Sequence, residues 1–272
     1  MVRNCHLWTK CKDNKNMRKP YVIISPDYDY TSGGIKVMWG LFGWLLVKGQ
    51  IVYMNRYPAG EIIAIYPEIF HGNSTGANTV VRYILNTPGV MGSRNFDGGF
   101  TPGPTTFDPT DKLYYFSRLF GKAEDKNHYM FLPIIDLHTF KDQKKRRTKK
   151  AVFYGKVGDL QLHPKDCIVI DRTVAQDQQG LADLLNECEV MYCYDSVTAM
   201  TEIARLCGCR VVIFPSTYTK KEYSEYECGM NGISWGKDEG VKLDTEAFYG
   251  HYKSMIDLFS KRLDIFIDQT QK

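Results

Sequence analysis

Four acid–base side chains follow short apolar runs of this 272-residue chain: Asp27 and Asp29 after residues 21–24, Glu68 and His71 after residues 61–66. A carboxylate or imidazole so placed could take a proton from a hydroxyl as that hydroxyl attacks an electrophile. Two fixed cations stand in similar settings, Lys156 after residues 152–154 and Arg172 after residues 167–170. Either could meet charge building on an anionic leaving group. The run Tyr194-Asp195-Ser196-Val-Thr198-Ala-Met-Thr-Glu202 adds hydroxyls where a helix begins, a setting that suits a phosphate. Glu202 lies one turn past Thr198 on roughly the same helix face, where it could accept hydrogen bonds from sugar hydroxyls. Gly33, Gly34 and Gly155 would let backbone approach a ligand closely. Phosphate contacts beside a hydroxyl reader describe a site for a nucleotide-sugar.

The elements that must position these residues alternate along the chain. Residues 21–24 form a compact β run, and Ser32-Gly33-Gly34 opens a periodic segment, 35–48, with Val37, Met38, Leu41, Trp44, Leu45 and Val47 on its apolar side. Strands follow at 50–54 and 61–66, then a second predicted helix at 78–86 stopped by Pro88-Gly89. A loop rich in Gly, Pro and Thr spans 92–111, and short strands are predicted at 113–116 and 130–133. The alternation restarts with strands at 152–154 and 167–170, a helix near 180–187 and an apolar run at 189–194. Asp195-Ser196 then reads as an N-cap. Val197, Met200, Ile203, Ala204 and Cys207 recur at helical spacing, Gly208 ends the helix, and 211–214 is a buried strand closed by Pro215. A last helix covers about 244–267. This rhythm predicts α/β architecture, parallel sheets with helices on both faces. Ligands of such sheets bind beyond the C-terminal strand ends, which selects the loops at 25–34, 66–76, 155–158 and 194–198.

The segment Glu202-Ile-Ala-Arg-Leu-Cys-Gly208-Cys-Arg-Val-Val212 resembles the donor-binding half of GT-B fold glycosyltransferases, in which a helix carries two glutamates eight apart. Here the second glutamate is Glu202, while the first position holds Tyr194, followed by Asp195. Tyr66-Pro-Glu68, Gly72-Asn73, Val80-Val-Arg82 and Leu85-Asn-Thr-Pro-Gly89 resemble a motif of bacterial and viral glycosyltransferases of surface polysaccharides. The resemblance implies a GT-B fold: two Rossmann-like domains facing across a cleft. Residues 1–124 would form the acceptor side and 125–243 the donor side, with a helix over 244–272 that could cross back to the first domain. It implies a metal-independent hexosyl- or pentosyltransferase moving a sugar from a UDP- or other NDP-sugar to an acceptor hydroxyl, that of a glycan first. Asp29, Glu68 and His71 are its candidate bases. Gly33, Gly34, Gly155, Lys156, Arg172, Tyr194, Asp195, Ser196, Thr198 and Glu202 are its candidate donor contacts. No cofactor is implied, since the nucleotide-sugar is a co-substrate. Asp27-x-Asp29 has the spacing of a metal-binding Asp-x-Asp, but its βα-loop setting argues against magnesium. Two alternatives stand: a phage-type DNA glycosyltransferase acting on hydroxymethylated cytosine, and a GT-B module that binds a nucleotide-sugar or glycan without turnover.

Composition bounds these readings. A hydrophobic fraction of 43% with 24% charged residues is that of a soluble globular protein, long enough for two domains. The longest apolar run, 37–47, is too short to span a bilayer, and the first ten residues have no signal-peptide core. The expected compartment is the cytoplasm, a host's if the chain is viral. Eight scattered cysteines read as buried hydrophobes of a reducing compartment, and Cys5-His6 with Cys11 lacks a second pair for zinc. The net charge is +4, yet residues 141–150 alone carry seven positive charges and one negative. That run reads as a solvated linker or as a contact with an anionic surface, glycan or DNA.

Overall fold

In the computed structural model, residues 18–94, 100–155, 161–214 and 217–272 are described. Lys156, Pro215 and the Cys5-His6-Cys11 group lie outside them. The first part of the chain runs β1 (Tyr21–Ile23), α1 (Gly33–Val47), β2 (Val52–Met54), β3 (Ile63–Pro67), β4 (Thr79–Ile84), β5 (Gly92–Arg94), β6 (Phe100–Pro102) and β7 (Lys112–Tyr115). Five of these strands make a parallel sheet in the order β2-β1-β3-β4-β7, while β5 and β6 pair as an antiparallel hairpin. The second part runs β8 (Lys149–Phe153), β9 (Ile168–Val169), α2 (Arg172–Gln176), α3 (Gln178–Glu187), β10 (Cys188–Cys193), α4 (Met200–Leu206), β11 (Arg210–Ile213), α5 (Lys220–Tyr223), β12 (Ile233–Trp235) and α6 (Thr245–Thr270). Its strands form a second parallel sheet, β12-β11-β10-β8-β9. Counted within its own sheet, each half has the strand order 2-1-3-4-5. The fold is therefore α/β, with two Rossmann-like halves.

Residues 78–86 are a correction: they form strand β4, not a helix. Val80 packs with Val22, Ala64 and Tyr66 on one face, and Val81 and Tyr83 with Ile63 and Ile65 on the other. A short run apolar on both sides suits a central parallel strand, and periodicity alone does not separate it from a buried helix. Among the described residues, helices cover only one face of the first sheet. There α1 brings Val37, Met38, Leu41 and Leu45, and α6 brings Phe259, Leu263 and Phe266. The opposite face is closed by Phe70 and Ala77 of the β3–β4 connection. Residues 130–133 join no ladder; Met130, Phe131 and Leu132 are buried in an extended segment after a lone bridge between Tyr115 and Tyr129.

The 26-residue helix α6 serves both cores. Phe248, Tyr252 and Met255 pack with the second sheet, and Phe259, Leu263, Phe266 and Ile267 with the first. Cys188, Cys193, Cys207 and Cys209 are free and buried among apolar neighbours. Among the described residues no helix is long and apolar enough to cross a membrane.

The basic run is largely neutralised by its surroundings. Lys144 and Arg147 pair with Asp142, Lys145 with Asp183, Lys149 with Glu187 and Lys150 with Asp166. It leads into the N-terminal end of β8, away from the strand ends that face the cleft.

Candidate active site

In each sheet the strand order reverses beside the first strand, and the rule for doubly wound folds puts ligands at the C-terminal ends there. Both reversals open onto one cleft of about 720 Å³. The first half contributes the turn after β1 with Ser25, Asp29 and Thr31, the start of α1, and Glu68 after β3. The second half contributes Gly155 after β8, Arg172 at the start of α2, and Asp195, Thr198 and Glu202 after β10. Asp29, Glu68, Gly33, Gly34, Gly155, Arg172, Asp195, Thr198 and Glu202 thus share one cavity, although 173 residues separate Asp29 from Glu202 (202 − 29).

Glu202 is the most telling of them. It is 2% exposed, lines the cleft, and neither carboxylate oxygen has a hydrogen-bond partner. Burial pushes its carboxyl up from the ordinary value, opposed by the Arg205 charge one turn on. The Tyr226 phenol and Cys228 thiol are close enough to favour the charged form slightly, but lie outside hydrogen-bonding geometry. Arg205 is mostly committed elsewhere: Nη1 donates to the carbonyls of Cys228, Gly229 and Asn231, Nε to that of Thr201, and the guanidinium lies 4.1 Å from the Phe248 ring centre, while Nη2 is buried without a hydrogen-bond partner. A buried carboxyl with two unmet acceptors is costly unless something fills it.

The turn before α4 differs from the expected cap. Helix α4 starts at Met200, and its N-cap, Ala199, makes no side-chain cap bond. Asp195 and Thr198 instead accept from the Val197 and Met200 amides, folding the chain into successive turns. Two expected donor contacts do not reach the cleft lining. Tyr194 is fully buried, its hydroxyl accepting from the Leu162 amide at 2.7 Å and lying 2.9 Å from His163 Nδ1. Ser196 is 1% exposed, and its Oγ is buried without a partner. Gly155 has a structural reason to be glycine: φ is +60°, and an added Cβ would sit 2.3 Å from Asp195 Cβ.

The candidate bases separate clearly. Asp29 faces the cleft and accepts from both the amide (2.7 Å) and the hydroxyl (2.8 Å) of Thr31. These bonds, with the Arg172 charge across the cleft, hold its carboxyl below the ordinary value. Glu68 also borders the cavity but is 3% exposed and accepts from the Leu85 amide at 2.9 Å, tying the β3 end to the β4 end. His71 is exposed outside the lining, with Nε2 3.1 Å from the Pro102 carbonyl. Asp27 is exposed and also outside the lining.

Sequence reasoning missed Lys36, Asn86, Tyr226 and Tyr252, all of which border the cavity. Lys36 carried a usable signal: it is the one charged residue in α1. The tyrosines arrive from segments far along the chain and gave none. Among the described residues no group of three or more His, Cys, Asp or Glu is placed to hold a metal ion.

No protein-family model matches the chain, and no curated protein sequence matches it. Among solved structures, it is similar to the functionally uncharacterized protein KP1_0663 from Klebsiella pneumoniae subsp. pneumoniae NTUH-K2044. That match has a TM-score of 0.38 and 14% identity, and covers 76% of this chain and 86% of the other. It is also similar to the glycosyltransferase SnogD from Streptomyces nogalater, with a TM-score of 0.35, 11% identity, and coverage of 93% and 96% respectively. Both likenesses are weak.

Proposed function

We propose that the protein is a glycosyltransferase of the GT-B kind, moving a sugar from a nucleoside diphosphate to an acceptor hydroxyl of a glycan. The observation that carries this is Glu202, a buried carboxyl at the cleft whose two oxygens lack partners. A ribose diol presents two hydroxyl donors, so binding would supply partners for both oxygens. From there the diphosphate would run toward Arg172, with Lys156 as a second cation. Gly155 would allow the backbone approach that a pyrophosphate needs.

Asp29 is then the base. Its ionised carboxylate takes the proton as the acceptor oxygen bonds to the anomeric carbon. The bond from that carbon to the diphosphate oxygen breaks, and Arg172 meets the charge that the leaving group gains. Glu68, with one oxygen holding the Leu85 amide, positions the loop rather than the proton.

A binding-only module is the second reading, favoured by one observation. Where a second donor carboxylate would stand, Tyr194 is buried and engaged with Leu162 and His163. A DNA acceptor is not favoured, because the carboxylates of 142, 166, 183 and 187 already neutralise much of the basic run.

The test is a thermal-shift screen of nucleoside diphosphates and their sugars, with release of free diphosphate as the activity readout. At a ligand concentration of about 100 Kd, binding adds about 2.7 kcal/mol of stability. Glu202→Gln should abolish the shift. A panel without any shift would end the reading, and a shift without release would select the binding-only module.

A further inference from the structure

Beside the main cleft, a recess of about 380 Å³ shares Lys36, Leu132 and Ile134 with it. Its rim is aromatic. Tyr28 and Tyr30 meet edge to face with ring centres 4.9 Å apart, and Tyr28 meets Trp39 likewise at 6.0 Å. Trp39 is oriented by its indole N–H, which donates to the Pro26 carbonyl at 3.1 Å. Edge-to-face packing leaves ring faces uncovered, and Tyr28 and Tyr30 are 46% and 62% exposed. Tyr30 borders the cleft and Tyr28 the recess, so the shelf joins the two.

Lys36 stands where they meet. Burial lowers its ammonium from the ordinary value, and among the described residues its side chain makes no hydrogen bond or ion pair. It is also the one charged residue among those lining the recess.

We propose that this shelf and Lys36 form the acceptor subsite, and that it takes a saccharide carrying a single anionic group, a carboxylate or phosphate, on the ring that stacks there. The proposal rests on the glycosyltransferase reading and names its substrate class. The apolar face of a pyranose stacks on tyrosine or indole rings, which are rigid and lose little freedom on binding. A single half-buried cation then matches a single charge, since a desolvated ammonium gains most from an anion that replaces its lost water. A nucleic-acid strand would also stack, but it brings a phosphate at every nucleotide and needs a track of cations. The recess offers one.

Saturation-transfer NMR on the full chain tests this with methyl β-D-glucuronide, glucose 6-phosphate, methyl β-D-glucoside and a short single-stranded oligonucleotide as probes. At least one anionic sugar should bind about tenfold tighter than the glucoside, and the two anionic probes distinguish carboxylate from phosphate. Lys36→Gln should remove that preference, and Trp39→Ala should weaken every sugar, while the nucleoside diphosphate shift stays as in the wild type. Equal binding of glucoside and anionic sugars, no sugar binding, or tighter binding of the oligonucleotide would each overturn the proposal. The wild-type comparison among probes stands even if a variant fails to fold. Loss of the diphosphate shift in the wild type would instead count against the glycosyltransferase reading.

Discussion

Asp29 and Arg172 lie on opposite halves of the molecule and line the same cleft; the Thr31 amide and hydroxyl hold the Asp29 carboxyl below its ordinary value, and the Arg172 charge adds a smaller push the same way. A base held this way stays ionised through the neutral range, so the rate should fall only where pH drops below ordinary carboxylate values. Arg172→Gln removes only the smaller contribution and should move that acid limb slightly upward, since the Thr31 bonds remain. Asp29→Asn should cut turnover about 10²–10⁴-fold while leaving the nucleotide-dependent thermal shift in place. Steady-state rates across pH check both, and an acid limb indifferent to Arg172 would separate the two residues.

Burying the Glu202 carboxyl beside the cleft is costly. Its pKa is raised in the folded chain above the unfolded value of about 4.3, so its contribution to stability is fully present below that pH and is lost as pH rises through the folded pKa. Glu202→Gln should therefore make the ligand-free protein more stable at neutral pH, with the gain vanishing below pH of about 4. The same variant should lose nucleotide binding. Urea titrations at several pH values read the first effect and thermal shifts the second.

Gly155→Ala places a methyl group against Asp195 and a side chain at φ +60°. The strained backbone alone costs about 1 kcal/mol, and the clash must push Asp195 or the 155 loop out of place. We expect lower stability together with weaker nucleotide affinity. Unchanged affinity would show that the loop yields away from the site.

Arg82 and Asp111 form a buried ion pair at 2.7 Å, with side-chain exposures of 3% and 4%. Arg82 also donates to the carbonyls of Phe70 and Gly72, pinning the β3–β4 connection. Arg82→Ala leaves Asp111 buried and unpaired, at a cost of about 3–5 kcal/mol. Adding Asp111→Leu should recover part of that loss. A denaturant double-mutant cycle measures the coupling, and purely additive effects would contradict it.

The parallel α/β plan was legible because β1, β3 and β10 are short, nearly unbroken apolar runs bounded by polar loops. Helix α1 was legible from Ser32 at its cap and an apolar face repeating at three and four. Strand β4 was not: Val80-Val81-Arg82-Tyr83 is apolar toward both faces, and only its place between β3 and β7 determines its form. The turn from 195 to 199 misled for a local reason. Asp and Thr that can cap a helix can equally fold turns ahead of one, and here they do. Of the candidate site, the loops at strand ends could be named from sequence, since strand polarity dictates where they gather. Which carboxylate faces the cleft could not, because Glu68 is drawn away by an amide on a strand that sequence did not identify. Tyr252 enters through packing of α6 against α4, and Tyr226 from the segment after α5, both long-range contacts without a local pattern.

The last turns of α6 also govern the order in which the chain can mature. Tyr21, the first residue of β1, bonds Thr270 at 2.7 Å, and Lys112 and Tyr114 of β7 reach Gln269. As synthesis proceeds from the N-terminus, the face of the first sheet that α1 only partly covers must wait for its other cover until residues 259–270 have left the ribosome. The half translated first is therefore finished last, and through most of translation part of its apolar face is open to chaperones and to neighbouring chains.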